Sequence, residues 1–295
     1  MKISQSLLKS LIDYRNGKEC GHIFKAKYID NRYDLFPPSD AQNIGTWFEY
    51  KATGAIPKNG VVPQPEYMKR GKDENGNPQL TADYRLISEH IENFKKILNT
   101  YGFEIILAGE DIRAYYPNSL EKYGEEVYLT GTIDIRAKAT RDIYSKYENT
   151  PVLVAQAGQE MIIDIKTSGL LSDKWNDYGW ELDNLHNKVK LVTQPIHYKY
   201  IEWLNKGAEI PFLFFLFHSK NENDVRILDF RINDTAFSEH EIFIEAGIQN
   251  LLHYKKHGFK AHPNLEKCSN CPLKDNCKDR AVVAPITIYY FANQI

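Results

Sequence analysis

Met161-Ile162-Ile163-Asp164-Ile165-Lys166 reads as a β-strand with two charges set into it. Alternate side chains of a strand share a face. Ile163 and Ile165 therefore point one way, and Asp164 and Lys166 point the other. Gly131-Thr132-Ile133-Asp134-Ile135-Arg136 repeats the pattern thirty residues upstream. There Ile133 and Ile135 face a core and Asp134 faces away from it. A carboxylate inside so apolar a strand must be solvated, paired or bound to a metal. If the two strands pair, Asp134 stands beside the Asp164–Lys166 face. Asp-x-Lys alone is most simply an exposed ion pair; the upstream Gly-x-x-Asp strand gives it a second reading.

Working outward, more elements follow from periodicity. Glu104–Tyr116, Phe212–His218 and Val225–Ile232 read as further strands, alongside Val127–Ala137 and Met161–Thr167. Ile286–Phe291 reads as a closing strand. Ser4–Tyr14, the stretch from Asp40 to Gly54, Thr81–Leu98, Val189–Leu204 and Ser238–His257 carry helical spacing of apolar residues. The region from Pro57 to Pro78 is rich in Pro, Gly, Asn and charge and reads as an irregular loop. This order predicts one α/β domain spanning 1–295, with a central mixed sheet flanked by helices. Residues 55–100 form a loop-plus-helix insertion, and 262–280 a cysteine segment.

The chain has 295 residues, 42% of them hydrophobic and 26% charged, as in ordinary globular proteins. No apolar run is long enough to span a bilayer, and Met1-Lys2-Ile3-Ser4-Gln5 lacks an apolar signal core. The expected location is the cytoplasm, with no membrane partner. A net charge of −2 does not advertise a nucleic-acid binder, but a local basic groove can sit on a neutral chain.

Two carboxylates and one ammonium on a sheet face suit phosphodiester hydrolysis. Mg2+ and Mn2+ favour hard oxygen ligands, and Asp134, Asp164 and the Ile165 carbonyl could supply them. Such an ion polarises a phosphate and acidifies a bound water. Lys166 could then position that water or stabilise charge growing on the phosphate. Gln194 and Tyr198 lie one helical turn apart and could line such a site. Pro195 is best tolerated in a first turn, so that helix is expected to begin near Thr193 as its N-cap. Glu49, between Phe48 and Tyr50, is a candidate third carboxylate and metal ligand. Taken singly, Gln194, Tyr198 and Glu49 fit ordinary amphipathic helices equally well.

Cys268-x2-Cys271-x5-Cys277 is a tight thiol triplet, and Cys20 is the one other cysteine. The four together match the thiolates of a 4Fe–4S cluster. Zinc is the alternative, with His22 and His262 as substitute ligands, and free thiols are the third possibility. A cluster would staple the N-terminal segment to the C-terminal one.

In their order along the chain, these pieces resemble the PD-(D/E)XK nuclease superfamily. The likeness is closest to its iron–sulfur branch of RecB-like and AddB-like nucleases, which includes CRISPR-associated spacer-trimming nucleases. The matching pieces are Cys20, Gly45–Glu49, Gly131–Asp134, Asp164-Ile165-Lys166, Gln194-x3-Tyr198 and Cys268-x2-Cys271-x5-Cys277. The resemblance implies a restriction-endonuclease-like core and a metal-dependent deoxyribonuclease, expected to be an exonuclease. Its catalytic set would be Glu49, Asp134, Asp164, Lys166, Gln194 and Tyr198. It implies a structural cluster at Cys20, Cys268, Cys271 and Cys277 that joins the two ends. DNA is the implied partner, as single strands or duplex ends. The implied setting is repair, recombination or phage DNA processing, with a separate helicase or recombination protein alongside. The alternatives are an endonuclease trimming CRISPR spacer precursors and an inactive DNA-binding module of the same fold. Many RecB-like members carry His in the first helical motif, where this chain has Phe48-Glu49. No Gly-x4-Gly-Lys phosphate loop occurs, so any motor would be another chain.

Overall fold

In the computed structural model, the two charged strands are neighbours in one sheet. The structure describes residues 1–147, 150–168, 175–176, 179–180 and 185–281. The closing strand expected at Ile286–Phe291 lies outside them. The strands are β1 (Lys2–Ser4), β2 (Tyr67–Lys72), β3 (Pro78–Leu80), β4 (Phe103–Tyr115), β5 (Tyr128–Ala139), β6 (Ile143–Tyr147) and β7 (Thr150–Ala155). They continue with β8 (Glu160–Ser168), β9 (Trp175–Asn176), β10 (Gly179–Trp180), β11 (Phe212–His218) and β12 (Val225–Asp229). The helices are α1 (Gln5–Arg15), α2 (Gly21–Tyr28), α3 (Asp40–Thr53) and α4 (Ala82–Tyr101). After them come α5 (Ser119–Tyr123), α6 (Leu185–Lys206), α7 (Ala236–His257) and α8 (Leu265–Ser269). No helix among the described residues is long and apolar enough to cross a membrane.

Chain contacts divide the molecule into two compact units: Met1–Leu8 with Pro38–Ala246, and Lys9–Pro37 with Gly247–Ile295. The first holds a mixed sheet in the order β1-β5-β8-β11-β12, with β4 on the far edge of β5. β8 runs antiparallel to β5 and parallel to β11. The apolar face predicted from alternation is present. Ile135, Ala137, Ile163, Ile165, Phe215 and Phe217 are buried against Trp47 and Phe48 of α3 and Tyr84, Ile87 and Phe94 of α4. Phe48 meets Phe217 edge to face at 4.9 Å, which pins α3 to the sheet. The opposite face carries Asp134, Arg136 and Asp164 and is covered by α6.

β5 is long enough to have two partners on one edge. Tyr128–Thr130 pair with β1, and Ile135–Lys138 pair with β8. Between them, among the described residues, Gly131–Asp134 have no partner on that edge. The sheet therefore forks at the stretch that the sequence singled out.

Local chemistry accounts for the helix ends. Ser39 and Gln42 form a reciprocal capping box at the start of α3, and Gly54 closes it at φ 79°. The Pro57–Pro78 region is more regular than expected. β2 and β3 form a hairpin, because Asp73 Oδ1 accepts from the Asn75 and Asn77 amides and holds the turn. The β6–β7 hairpin was also not anticipated; Ser145, Lys146 and Pro151 break the alternation that marks a strand. α6 does not begin at Thr193. It runs from Leu185 straight through Pro195, so one backbone hydrogen bond is missing inside the helix.

The second unit brings the terminal segments together. Tyr14 stacks on Phe24 at 5.6 Å and meets Tyr254 edge to face at 4.9 Å. The Gly21 amide donates to the Lys260 carbonyl at 3.1 Å, and Lys267 Nζ donates to the Lys18 carbonyl at 2.6 Å. Gly21 has no room for a side chain: a Cβ would lie 2.2 Å from the Lys260 oxygen. Among the described contacts, the ends are joined by ring packing and backbone hydrogen bonds; a clasp made by the cysteines is not among them.

Candidate active site

Ile135 pairs with Ile163, so one register step further Asp134 and Asp164 stand opposite each other where the ladder has ended. Asp134 Oδ2 accepts from the Ile165 amide at 2.9 Å. The Ile162 amide points the other way, donating to the Pro211 carbonyl at 2.9 Å. Because successive peptides in a strand alternate sides, the Ile165 N–H and C=O both face β5. The Ile165 carbonyl thus opens toward the fork, beside the two aspartates.

Asp164 is almost wholly buried, at 1% exposure. Gln194 Nε2 donates to its Oδ1. Lys166 Nζ stands in ion-pair contact with its Oδ2. That ammonium is the cation Oδ2 faces, and Oδ2 is otherwise without a hydrogen-bond donor among the described residues. Glu49 comes from α3 on the opposite face and lies close enough to interact with Lys166 and Asp164.

The electrostatics are those of crowded carboxylates. Burial pushes Glu49 up to about 7, with Asp164 adding to the rise and Lys166 opposing it. Burial and the neighbouring Asp164 hold Asp134 well above the usual carboxylate range, against the pull of Lys166 and the Ile165 amide. Burial alone would lower Lys166, but Asp164, Asp134 and Glu49 together raise it and keep the ammonium charged. Such opposed shifts in one place are characteristic of functional sites.

Tyr198 packs over the fork. A Cβ on Gly131 would come within 2.5 Å of the Tyr198 ring, so the first glycine of the motif is the space that ring occupies. Burial, and the charges of Asp164 and Asp134, push its hydroxyl up. All six predicted catalytic residues, Glu49, Asp134, Asp164, Lys166, Gln194 and Tyr198, are therefore gathered at the fork. The chemistry of the carboxylates suits a hard cation. Yet among the described residues no three His, Cys, Asp or Glu side chains close tightly enough to hold a metal ion.

The fold has a structural counterpart. The chain aligns with the crystal structure of a "Putative exonuclease" from Eubacterium rectale at a TM-score of 0.58, over 97% of this chain and 91% of that one. Identity is 18%, so what the two share is the fold. A second solved structure, SSO0001, aligns at a TM-score of 0.36 with 10% identity over 95% and 87% of the two chains, too distant to carry an argument. No protein-family model matches the chain, and no curated protein does.

Sequence reading missed one group beside the site. Arg136, two residues after Asp134, is 7% exposed and paired with Glu110 at 2.7 Å, Glu160 at 3.3 Å and Glu202 at 2.6 Å. The available signal was the i, i+4, i+8 spacing of Gln194, Tyr198 and Glu202 along α6.

In the second unit, Cys20, Cys268, Cys271 and Cys277 are free thiols that line one cleft with His22 and His262. Burial raises the Cys271 thiol; the Leu273 amide opposes this, and the three other cysteines add to it. The thiols are near neighbours, though not closed around a point. His22 Nε2 lies 2.8 Å from Asp279 Oδ2.

Proposed function

We propose that this protein is a metal-dependent deoxyribonuclease that hydrolyses phosphodiester bonds, acting as an exonuclease. The observation that carries the reading is the meeting of Glu49, Asp134, Asp164 and Lys166 at an unpaired fork of the sheet. No structural role requires three carboxylates to crowd one half-buried place beside a lysine. The fold shared with a crystal structure named as an exonuclease supports it.

Asp134, Asp164, Glu49 and the Ile165 carbonyl are the groups that would hold Mg2+ or Mn2+. Asp164 Oδ2, buried and already facing a cation in the Lys166 ammonium, fits that role. When bound, such an ion supplies Lewis acidity to the phosphate and lowers the pKa of a water. The chain's residues do the rest. Lys166, held charged, leaves Asp164 for the scissile phosphate and stabilises the charge that grows there. Gln194 keeps Asp164 oriented through Oδ1. Tyr198, held protonated, can donate to a phosphate oxygen. Glu49, which holds its proton up to about pH 7 in the absence of metal, would give it up to bind the ion as a carboxylate.

The four cysteines have the donor chemistry of a 4Fe–4S cluster, or of zinc, and are proposed to hold one in the second unit, for structure rather than chemistry.

The test is degradation of labelled linear and circular DNA, single- and double-stranded, with Mg2+ or Mn2+. Shortening of linear DNA from its ends, abolished by Asp164→Ala, supports the proposal. Cutting of circles would make the enzyme an endonuclease. Binding without cleavage, unchanged in Asp164→Ala, would overturn it.

A further inference from the structure

α6 presents a stripe to the sheet. Gln194, Tyr198, Glu202 and Lys206 recur at four-residue spacing and fall on one helical face. Gln194 holds Asp164, and Tyr198 lies over Gly131. Glu202 grips Arg136 with both carboxylate oxygens, at 2.6 Å and 3.3 Å. Lys206 reaches Glu160 at 3.0 Å and Glu202 at 3.1 Å. Every step of the stripe thus lands on a strand of the fork.

Arg136 and Glu202 are both buried, at 7% and 2% exposure. A buried ion pair adds little net stability compared with apolar side chains of the same size. What a two-pronged guanidinium–carboxylate contact adds is geometry: it fixes two elements in register and orientation. Register is what α6 needs. Pro195 removes a backbone hydrogen bond beside Gln194, so the helix is weakest where it meets Asp164. About 12 Å separates Gln194 from Glu202 along the axis, so a shift at one end is carried to the other.

We propose that Arg136 and Glu202 are positioning residues: their pairing sets the register of α6 on β5 and so places Gln194 and Tyr198 over Asp164 and Asp134. The pair itself touches none of the reacting groups. This inference rests on the nuclease reading for its kinetic consequence but not for its structural one.

The test replaces the pair by apolar side chains of similar length, in the double variant Arg136→Met/Glu202→Met. This leaves Glu110 and Glu160 partly solvated, so the fold is expected to hold. Single variants, which strand one buried charge, are expected to melt earlier. Three quantities are read: the thermal midpoint, amide exchange over residues 193–206 together with the Ile165 amide, and kcat and KM on linear DNA. The expected result is a midpoint near that of the wild type, faster exchange of those amides, and kcat lowered roughly tenfold or more with KM little changed. Wild-type exchange in the double variant, with kcat within about twofold of wild type, would overturn the proposal. Glu202→Gln, which keeps the side chain's shape and one acceptor, should fall between. If the wild type cuts no DNA, the nuclease reading fails and amide exchange alone decides the role of the pair; should the double variant fail to fold, exchange in Glu202→Gln decides it.

Discussion

Asp134 and Asp164 face each other one register step beyond Ile135 and Ile163, the last paired residues of β5 and β8. The ladder gives way to side chains there: the Ile165 amide, which would otherwise seek a strand carbonyl, is taken by Asp134 Oδ2. Two strands thus stop pairing at the point where two carboxylates need room for something between them.

That crowding predicts a trade between stability and activity. Asp134→Asn can still accept from the Ile165 amide but removes one of three mutually repelling acids. Its thermal midpoint should rise by a few degrees, equivalent to about 1 kcal/mol. Its cleavage rate should fall on the order of a hundredfold or more. Calorimetry and a cleavage assay on the same preparation check both; a lowered midpoint would show that the charge is fully compensated.

The Glu49 carboxyl gives a pH prediction. Its folded pKa of about 7 lies above the unfolded value of 4.5. Folding therefore takes up a proton between those values, and the favourable contribution present below pH 4.5 is lost as pH rises toward 7. Without divalent metal, urea unfolding should show stability declining over that window, with Asp134 acting in the same direction. Glu49→Gln should flatten the decline. With Mn2+ present, apparent metal affinity should rise with pH through the same range, because binding must displace that proton.

Gly131→Ala tests the seat of Tyr198. A methyl group 2.5 Å from the ring cannot be accommodated without moving it. A loss of about 1–3 kcal/mol in chemical denaturation is expected. Tyr198→Ala should largely remove the difference between Gly and Ala at 131. Equal losses in both backgrounds would mean that the strand itself, and not the ring, resists the side chain.

The cysteines predict colour. Protein purified without oxygen should be brown and contain iron, and Cys271→Ser should abolish both. Colourless protein containing zinc would assign the site to the alternative metal.

The strands were legible because β5 and β8 alternate over a full core face, and a slip of one residue would turn Asp164 into the apolar core that Ile163 and Ile165 fill with Phe215 and Phe217. That alternation is also what made Asp134, Asp164 and Lys166 readable as one site. β1 was too short to show a period, and the β6–β7 hairpin too polar. The Arg136–Glu202 pair was invisible for a different reason. Two charges sixty-six residues apart read as surface side chains until packing brings them together. Glu49 was equally ambiguous: only the seating of Phe48 on Phe217 turns its neighbour toward the fork.

The missing partner of Gly131–Asp134 also bears on how the sheet can move. Elsewhere a widening of strand spacing must break backbone hydrogen bonds in sequence, and so happens all at once or not at all. Between β1 and β8, among the described residues, a change of width would break no ladder bond of β5. The place where the chemistry is proposed is thus one where, among the described residues, β5 has paired regions on either side and no backbone ladder between them.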